Sequence, residues 1–288
     1  MPSAALAAAA SSLRCPNCGA SLAHAERALS CTNGHNFDVA RQGYVALLPP
    51  RRATAGGDSS EMVAARDAFL GAGHYAPLAA ALSAAARAVV AAPASGAAGC
   101  VVDLGAGTGH HLAALLEALP GRHGIALDSS RPALRRAARA HPRIAAVACD
   151  VWVELPLQDA SADLVVDVFA PRNGPEIARV LSARGGLVVV TPTDRHLNEL
   201  VPVLGILAVD EDKQARVRAT LSPHLKSASR SDVDFEMNLG HADVQALVAM
   251  GPSAHHLGAA DMRRGIAELP PKVGVTASVI VETFVRGS

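Results

Sequence analysis

Short apolar runs alternate with amphipathic stretches along most of the chain from Gly99 onward. The apolar runs are rich in valine and leucine, and they read CVVDLG, GIALD, AAVACD, SADLVVDVF and GGLVVVTP. Between them lie segments with helical spacing, HHLAALLEAL, RPALRRAARA and PEIARVL. This order predicts βαβ units, and hence an α/β fold with a doubly wound, mostly parallel sheet.

Two further apolar runs stand near the C-terminus, SDVDFEMNL and GVTASVIVETFV. They predict an antiparallel pair of strands at one edge of the sheet. The residues around the first of these runs, roughly 195–226 and 241–268, are helical in pattern. Because ligands of doubly wound folds bind at the carboxyl edge of the sheet, we expect these helical segments to cap that edge.

Composition divides the chain into four parts. Residues 1–12 are alanine-rich but lack the basic start and bulky apolar centre of a signal peptide, so we predict a disordered tail. Residues 13–48 carry cysteine, histidine and turn residues and predict a zinc-binding module. Residues 49–60 read PPRRATAGGDSS, which is typical of a linker. Residues 61–288 form the predicted catalytic domain.

Net charge gives no sign of a polyanionic partner, because 26 lysines and arginines balance 26 acidic residues. Any contact with nucleic acid must then come from a local patch. The five cysteines are odd in number, which argues against a disulfide framework and favours a reducing compartment, so we expect a cytoplasmic protein. No apolar run reaches the length of about eighteen residues that predicts a membrane span.

Four residues near the N-terminus have the spacing of zinc ligands. Cys15 and Cys18 form a C-x2-C pair, and Cys31 and His35 form a C-x3-H pair twelve residues later. Zinc prefers four such ligands in a tetrahedron, and two pairs on tight turns supply them without a large core. Since four protein ligands leave no open position for a water nucleophile, we predict a structural zinc ion.

A glycine-rich turn follows the first predicted strand, in VVDLGAGTGH. Glycines let the backbone turn sharply and approach a ligand closely. Asp103 precedes them, in a D-x-G-x-G-x-G spacing that differs from the dinucleotide pattern. Its carboxylate would repel a diphosphate but attract an ammonium and a sulfonium, which favours S-adenosylmethionine as the ligand. The turn contains Gly105, Gly107, Thr108, Gly109 and His110.

Acidic residues also end the next two predicted strands. Asp128 ends GIALD, twenty-one residues after Gly107, where an acid can bind ribose hydroxyls. Asp150 ends AAVACD and could bind the adenine amino group. Either aspartate could instead be a helix N-cap or a surface acid. Three acids ending successive strands favour the cofactor site.

Six segments stand in a characteristic order between Leu13 and Arg286: CPNC with CTNGHNFD, FDVARQGYVALLPP, EMVAARDAFLGAGHYAPL, DLGAGTGHH, FAPRN and TPTDRHLNEL. In this combination the chain resembles the 23S rRNA guanine-N1-methyltransferase family. The resemblance implies a class I S-adenosylmethionine-dependent methyltransferase fold over roughly residues 75–288. Within the family, the chain is most similar to an actinomycete branch that modifies guanine-748 and contributes to resistance against macrolides such as tylosin and mycinamicin.

The same resemblance implies roles for two more residues and a partner. Tyr75 contacts the cofactor, together with the turn from Gly105 to His110, and His196 lies near the methionine end of the cofactor. The implied partner is a 23S rRNA hairpin near the peptide exit tunnel, with the zinc module as a reader of RNA shape. Both a monomer and a homodimer are compatible with it.

Methyl transfer from a sulfonium mainly requires that the acceptor nitrogen lie in line with the methyl group. Guanine N1 must also lose a proton, for which Asp167, at the end of the fourth strand, and His196 are candidate acceptors besides water. N1 lies on the Watson–Crick edge, so the base must be unpaired or extruded, and the Phe169–Pro171 turn is a candidate wall of its pocket.

Two other functions use parts of the same pattern. A small-molecule methyltransferase would need the cofactor domain but gives no reason for the zinc module. A non-catalytic zinc-containing RNA-binding protein would retain the fold without binding S-adenosylmethionine. Calorimetric titration with the cofactor and assays on rRNA against small acceptors distinguish the three.

Overall fold

The computed structural model describes residues 2–48, 57–90, 99–210 and 212–287. Its strands are β1 (Leu22–Ala25), β2 (Ala28–Cys31), β3 (Asn36–Asp38), β4 (Tyr44–Ala46), β5 (Cys100–Leu104), β6 (His123–Asp128), β7 (Ile144–Ala148), β8 (Ala162–Val168), β9 (Leu181–Pro192), β10 (Leu225–Gly240) and β11 (Lys272–Arg286). Its α-helices are α1 (Pro2–Ala9), α2 (Ser60–Gly71), α3 (Ala76–Val89), α4 (His110–Ala118), α5 (Arg131–Ala140), α6 (Gly174–Val180), α7 (Val201–Leu204), α8 (Lys213–Leu221), α9 (His241–Ala249) and α10 (Ala259–Glu268).

The main sheet has eight strands in the order β10-β11-β9-β8-β5-β6-β7-β4. The strands from β9 to β4 pair in parallel, and β11 pairs antiparallel with both β9 and β10. The predicted doubly wound, mostly parallel sheet with an antiparallel edge pair is therefore confirmed. The chain winds outward in both directions from β5, so the loop after β5 lies at the switch point, where ligands of such folds bind.

Strand side chains alternate between two hydrophobic cores, one on each face of the sheet. Val101 and Val166 belong to the first core, and Val102 and Val165 belong to the second. Helices α3, α4, α5, α9 and α10 contribute to the first core, and α1, α6 and α8 contribute to the second. This two-sided burial explains why the strand sequences are almost uniformly apolar.

The N-terminal residues are not a disordered tail, which corrects the expectation for residues 1–12. They form α1 and a short 3-10 turn, and α1 packs on β6 and β7 with Leu6 and Ala9 fully buried. The order of α1 is explained by a segment that is distant in sequence. Residues 149–161, which connect β7 to β8, contain no helix, so this part of the sheet needs another apolar cover. The Ala- and Leu-rich N-terminus supplies it.

The zinc module is also less separate than the division at residue 48 suggests. The strands β1, β2 and β3 form a small sheet of their own, but β4 is an edge strand of the main sheet, paired with β7. In addition, Leu13 bridges to Leu157. Backbone pairing through Leu13 and β4 therefore joins segment 13–48 to the catalytic domain.

Two other predicted boundaries need comment. Of the predicted linker 49–60, residues 49–56 lie outside the described residues, and α2 begins at Ser60 with Ser59 as its N-cap. The stretch 195–226 contains α7 and α8, and the stretch 241–268 contains α9 and α10. Between them, β10 starts at Leu225, earlier than the predicted strand SDVDFEMNL, and runs for 16 residues. Within the part of the chain that the structure describes, no helix is both long and apolar enough to cross a bilayer.

Replacement of Leu6 by alanine tests the role of α1. Leu6 is fully buried against the sheet, so Leu6→Ala should lower the free energy of unfolding by about 2–5 kcal/mol. Urea denaturation followed by circular dichroism measures this change. Ala7→Ser, on the exposed side of the same helix, is the matched control and should stay within about 0.5 kcal/mol of wild type. Equal stability of both variants and wild type would mean that α1 does not cover the sheet.

Candidate functional site

The four predicted zinc ligands form one cluster. Their ligand atoms all lie within 4.8 Å of one another. The Sγ atoms of Cys18 and Cys31 are 3.8 Å apart, and His35 Nδ1 lies 3.5 Å from Cys15 Sγ and 3.4 Å from Cys31 Sγ. A tetrahedron with ordinary Zn–S and Zn–N bonds has S–S and S–N edges of about 3.8 and 3.5 Å. The residues therefore fit a closed structural zinc site.

The turns that carry these ligands depend on two glycines. Gly19 and Gly34 have φ of +71° and +81°, and each donates its N–H to the carbonyl of the first cysteine of its pair. The thiol of Cys18 is exposed, and its pKa is lowered to about 6, first by the backbone N–H of Ala20 and then by the Asn33 side chain. Such N–H donors stabilise the thiolate form that binds zinc.

At the carboxyl edge of the main sheet, the glycine turn contacts the end of β6. Gly107 has φ of +55° and donates its N–H to Asp128 Oδ2 at 2.8 Å, while the Ser130 N–H donates to Asp128 Oδ1 at 2.7 Å. Each carboxylate oxygen has a further lone pair, so Asp128 can still accept from a ligand. Gly105 and Gly109 also have positive φ, at +64° and +77°.

Two of these glycines have no room for a side chain. A Cβ on Gly105 would lie 2.7 Å from the Cβ of Ala170, and one on Gly109 would lie 3.0 Å from Ala137 Cα. Close packing of the turn against the β8 loop and against α5 therefore requires glycine. Thr108 between them is buried, and His110 begins α4 with its pKa lowered, chiefly by burial.

Asp103, Asp128 and Asp167 lie close enough to affect one another electrostatically. Asp103 is buried in β5, and its pKa is raised well above the usual range by burial and then by the carboxylates of Asp167 and Asp128. Burial also raises the pKa of Asp128. Asp150 lies two residues beyond β7, where its Oδ1 accepts the Trp152 N–H at 3.0 Å. This edge of the sheet thus concentrates carboxylates in a poorly solvated place, which favours a cationic ligand.

Asp167 has a structural role rather than that of a proton acceptor. The side chain has no exposed surface, and the Arg172 guanidinium binds both of its oxygens at 3.0 Å. The N–H of Ala170 donates to Oδ1 at 3.2 Å. These bonds fold the FAPRN turn back onto β8. Because its oxygens are occupied in this way, Asp167 is a poor base for guanine N1, and we withdraw it as a candidate.

His196 is neutral and holds a defined tautomer. The Ser278 N–H donates to His196 Nδ1 at 3.1 Å, so the ring proton lies on Nε2, which is 3.4 Å from the Tyr75 hydroxyl. Burial and then Lys213 lower the pKa of His196 to about 4. Its acceptor nitrogen is already bound, so His196 is not supported as a base either. It remains a hydrogen-bond donor.

The ring of His196 lies between two other aromatic rings, those of Tyr75 and Phe169. The rings of Tyr75 and His196 have centroids 6.5 Å apart, and those of Phe169 and His196 are 5.7 Å apart. Tyr75 is buried against Phe69 and Phe235, and burial raises its pKa. The structure therefore brings Tyr75, His196 and Phe169 of the FAPRN turn together.

Sequence reasoning missed Arg66 of α2. Its guanidinium lies over the turn, with Nη1 3.3 Å from the position of a Cβ on Gly107. It forms an ion pair with Asp58 and donates to the Met250 carbonyl at 2.8 Å. The only signal was its place in the EMVAARDAFL segment. Arg66 thus joins α2 and the end of α9 above the glycine turn.

Comparison with known proteins identifies the family. Residues 13–53 match the zinc-ribbon family described as RlmA, N-terminal, and residues 101–185 match the one described as Methyltransferase domain. A Streptomyces fradiae protein named 23S rRNA (guanine(748)-N(1))-methyltransferase is 50% identical over 268 residues, 93% of this chain and 94% of its own. The chain belongs to the 23S rRNA guanine-N1-methyltransferase family. A Micromonospora griseorubida protein named for the same guanine-N1 methylation is 53% identical over 280 residues, 93% of this chain and 95% of its own.

Solved structures agree on the fold of this guanine-N1-methyltransferase family member. The complex of the Haloferax volcanii Trm112 methyltransferase activator with a methyltransferase matches with a TM-score of 0.51 and 19% identity, covering 81% of this chain and 100% of that chain. At that identity the likeness concerns the fold alone. It agrees with the S-adenosylmethionine-dependent methyltransferase fold expected from the glycine turn.

Substitution of a single cysteine tests the zinc site. Cys31→Ser removes one of four ligands, so zinc content measured by mass spectrometry of the purified protein should fall well below one ion per chain. Cys149→Ala is the matched control, because Cys149 is buried beyond β7 and outside the cluster, and it should retain the full zinc content. Equal zinc content in both variants would contradict the ligand assignment.

Proposed function

We propose that this protein methylates N1 of an unpaired guanine in 23S rRNA, with S-adenosylmethionine as methyl donor. The observation that carries the proposal is 50% identity over 93% of the chain to a relative whose name specifies that reaction at guanine 748. We extend it to the same nucleotide, and hence to resistance against macrolides. The substrate would be a hairpin near the peptide exit tunnel, and the protein would act in the cytoplasm.

The cofactor is assigned to the carboxyl edge beside the glycine turn. Gly105, Gly107 and Gly109 let the backbone approach it, with Thr108 and His110 at the start of α4. Asp128 has lone pairs left for the ribose hydroxyls, and Asp150 is assigned to the adenine amino group. Asp103 is assigned to the positive charge of the ligand, whose approach would favour the ionised form that burial and two neighbouring carboxylates now disfavour.

Tyr75 and His196 are assigned to the methionine end. When bound, S-adenosylmethionine supplies a methyl group on a sulfonium, open to in-line displacement by a ring nitrogen. The Nε2–H of His196 is available as a donor beside Tyr75, and its low pKa keeps the ring neutral, so it adds no repulsive charge next to a sulfonium.

The target guanine is assigned to the side of His196 that faces Phe169. Phe169 is 39% exposed and lies against His196, so its ring can form a wall for an extruded guanine. Asp167 and His196 Nδ1 are both engaged in hydrogen bonds, which would leave solvent water as the acceptor of the guanine N1 proton.

Contact of the zinc module with the RNA remains part of the proposal. Deleting residues 1–48 cannot test it cleanly, because the deletion would also remove α1 and β4 from the main sheet. Point substitutions on the exposed side of the module avoid that problem. A homodimer likewise remains a proposal, for which sedimentation equilibrium is the direct measurement.

Cofactor affinity should depend on the turn and on Asp128. Gly107→Val places a side chain at φ +55° and against Arg66, and Asp128→Asn removes a charged acceptor, so each should weaken binding of S-adenosylmethionine about 10- to 100-fold in calorimetric titration. Glu117→Gln is the control, since Glu117 lies exposed near the far end of α4 and pairs with His141. Wild-type affinity in the first two variants would contradict the cofactor assignment.

A defined RNA substrate tests the reaction itself. The protein should transfer one methyl group to a 23S rRNA hairpin that contains guanine 748, and mapping of the product should find 1-methylguanine at that position. The same hairpin synthesised with 1-methylguanine already in place is the matched control and should accept no methyl group. Equal methylation of both hairpins, or of neither, would overturn the proposed function.

A further inference from the structure

A groove of about 240 Å³ lies beside the methyl-transfer site, at the same edge of the sheet. Its lining includes Trp152 from the β7–β8 connection, Phe169 from the loop after β8, and three cationic residues, Arg172, Lys213 and Arg216. None of its lining residues is acidic. The groove therefore combines aromatic surface with positive charge. Phe169 is already assigned to the wall of the guanine pocket, but Trp152 and the positive charge of the groove have no role in the proposed function.

Trp152 is held in an exposed position by a fixed backbone. Its side chain is 65% exposed, although tryptophan is the largest apolar side chain. The backbone N–H of Trp152 donates to Asp150 Oδ1 at 3.0 Å, and the backbone carbonyl of Trp152 accepts from the Asn173 side-chain amide at 3.1 Å. The loop is thus anchored from both sides while the ring extends into solvent. A ring that contributes so little to the core, on a backbone anchored in this way, suits stacking against a ligand.

The cations of the groove crowd one another. Lys213 lies half-buried at the start of α8, and its pKa is lowered by burial and then by the guanidinium groups of Arg172 and Arg216. Arg172 is bound to Asp167, and Arg216 pairs with Asp210 at 2.8 Å. Asp210 lies outside the groove lining. An anion in the groove would relieve the repulsion on Lys213.

We infer that this groove binds an unpaired nucleotide next to the target guanine, with its base stacked on Trp152 and its phosphate beside Lys213 and Arg216. The inference rests on the proposed function. Aromatic rings beside cations are the usual binding surface for single-stranded RNA, because every base has a face for stacking and every nucleotide carries a phosphate. Phe169 lines the groove and also contacts His196, so the two nucleotides would be neighbours.

This subsite gives the enzyme a way to select its target. Holding the neighbouring base out of the helical stack removes one of the contacts that keep the target guanine paired and stacked. Trp152 would then be a positioning residue that acts on RNA affinity rather than on cofactor binding. A hairpin with a flexible loop should be preferred over a continuous duplex.

The chain contains one tryptophan, so its intrinsic fluorescence reports on Trp152 alone. Titration with the guanine-748 hairpin should quench this emission with a saturable curve, and duplex RNA of equal length should quench it much less. N-acetyltryptophanamide titrated with the same hairpin corrects for absorption by RNA. An acidic peptide of equal charge that quenched Trp152 as strongly would assign the groove to a protein partner and overturn the inference.

Substitutions provide the second measurement. Trp152→Ala should raise the KM for the hairpin about 5- to 100-fold and leave the Kd for S-adenosylmethionine unchanged, and Trp152→Phe should restore most of the RNA affinity. Lys213→Ala should weaken RNA binding and reduce the salt dependence of log Kd by about one ion. Lys226→Ala is the matched control, because Lys226 is exposed at the opposite edge of the sheet.

The outcomes separate the inference from the proposed function. Suppose that the wild-type enzyme methylates the hairpin, that the hairpin does not quench its fluorescence, and that Trp152→Ala keeps the wild-type KM. These results would overturn the subsite and leave the proposed function intact. Saturable quenching by a hairpin that is never methylated would support an RNA-binding groove and overturn the function. Thermal melting of Trp152→Ala should match wild type, and a large loss of stability would mean that the ring serves the fold instead.

Discussion

Two backbone N–H groups, those of Gly107 and Ser130, converge on the carboxylate of Asp128, and the carboxyl edge of the sheet is organised around that contact. It joins the turn after β5 to the end of β6. The turn can reach Asp128 only because Gly107 adopts a left-handed backbone, which costs other residues about 1 kcal/mol or more. Since the chain winds both ways from β5, the β6 and β8 loops flank this same turn, and both sides of the site are built from it.

Local patterns predicted much of this site. Apolar runs ending in aspartate identified the strands that carry Asp103 and Asp128, and the glycines marked the turn between them. Contacts between distant residues were not visible in the pattern. The neutral tautomer of His196 depends on the backbone of Ser278, on β11. Likewise, α1 is ordered because the connection at 149–161 has no helix, and nothing within the alanine-rich N-terminus indicates this.

Two residues next to His196 have a strained backbone: Leu197, which follows it in the chain, and Phe169, whose ring lies against it. Phe169 and Leu197 are not glycines, yet they have φ of +58° and +59°, a conformation that costs about 1–3 kcal/mol. The bonds from Phe169 N–H to the Val190 carbonyl and from Leu197 N–H to the Thr276 carbonyl help to hold it. The backbone that carries Phe169 and His196 is therefore fixed before a substrate arrives, so less ordering is left for binding itself.

The three residues of β4 protect the main sheet as well as completing it. They follow β3 and the zinc turns in the chain and cover one side of β7, a strand whose five residues are all buried. If the metal were lost and β4 detached, β7 would present a row of unpaired amide and carbonyl groups on an apolar strand. Strands of that kind pair readily with copies from other molecules. Loss of zinc would then favour self-association of the protein through β7.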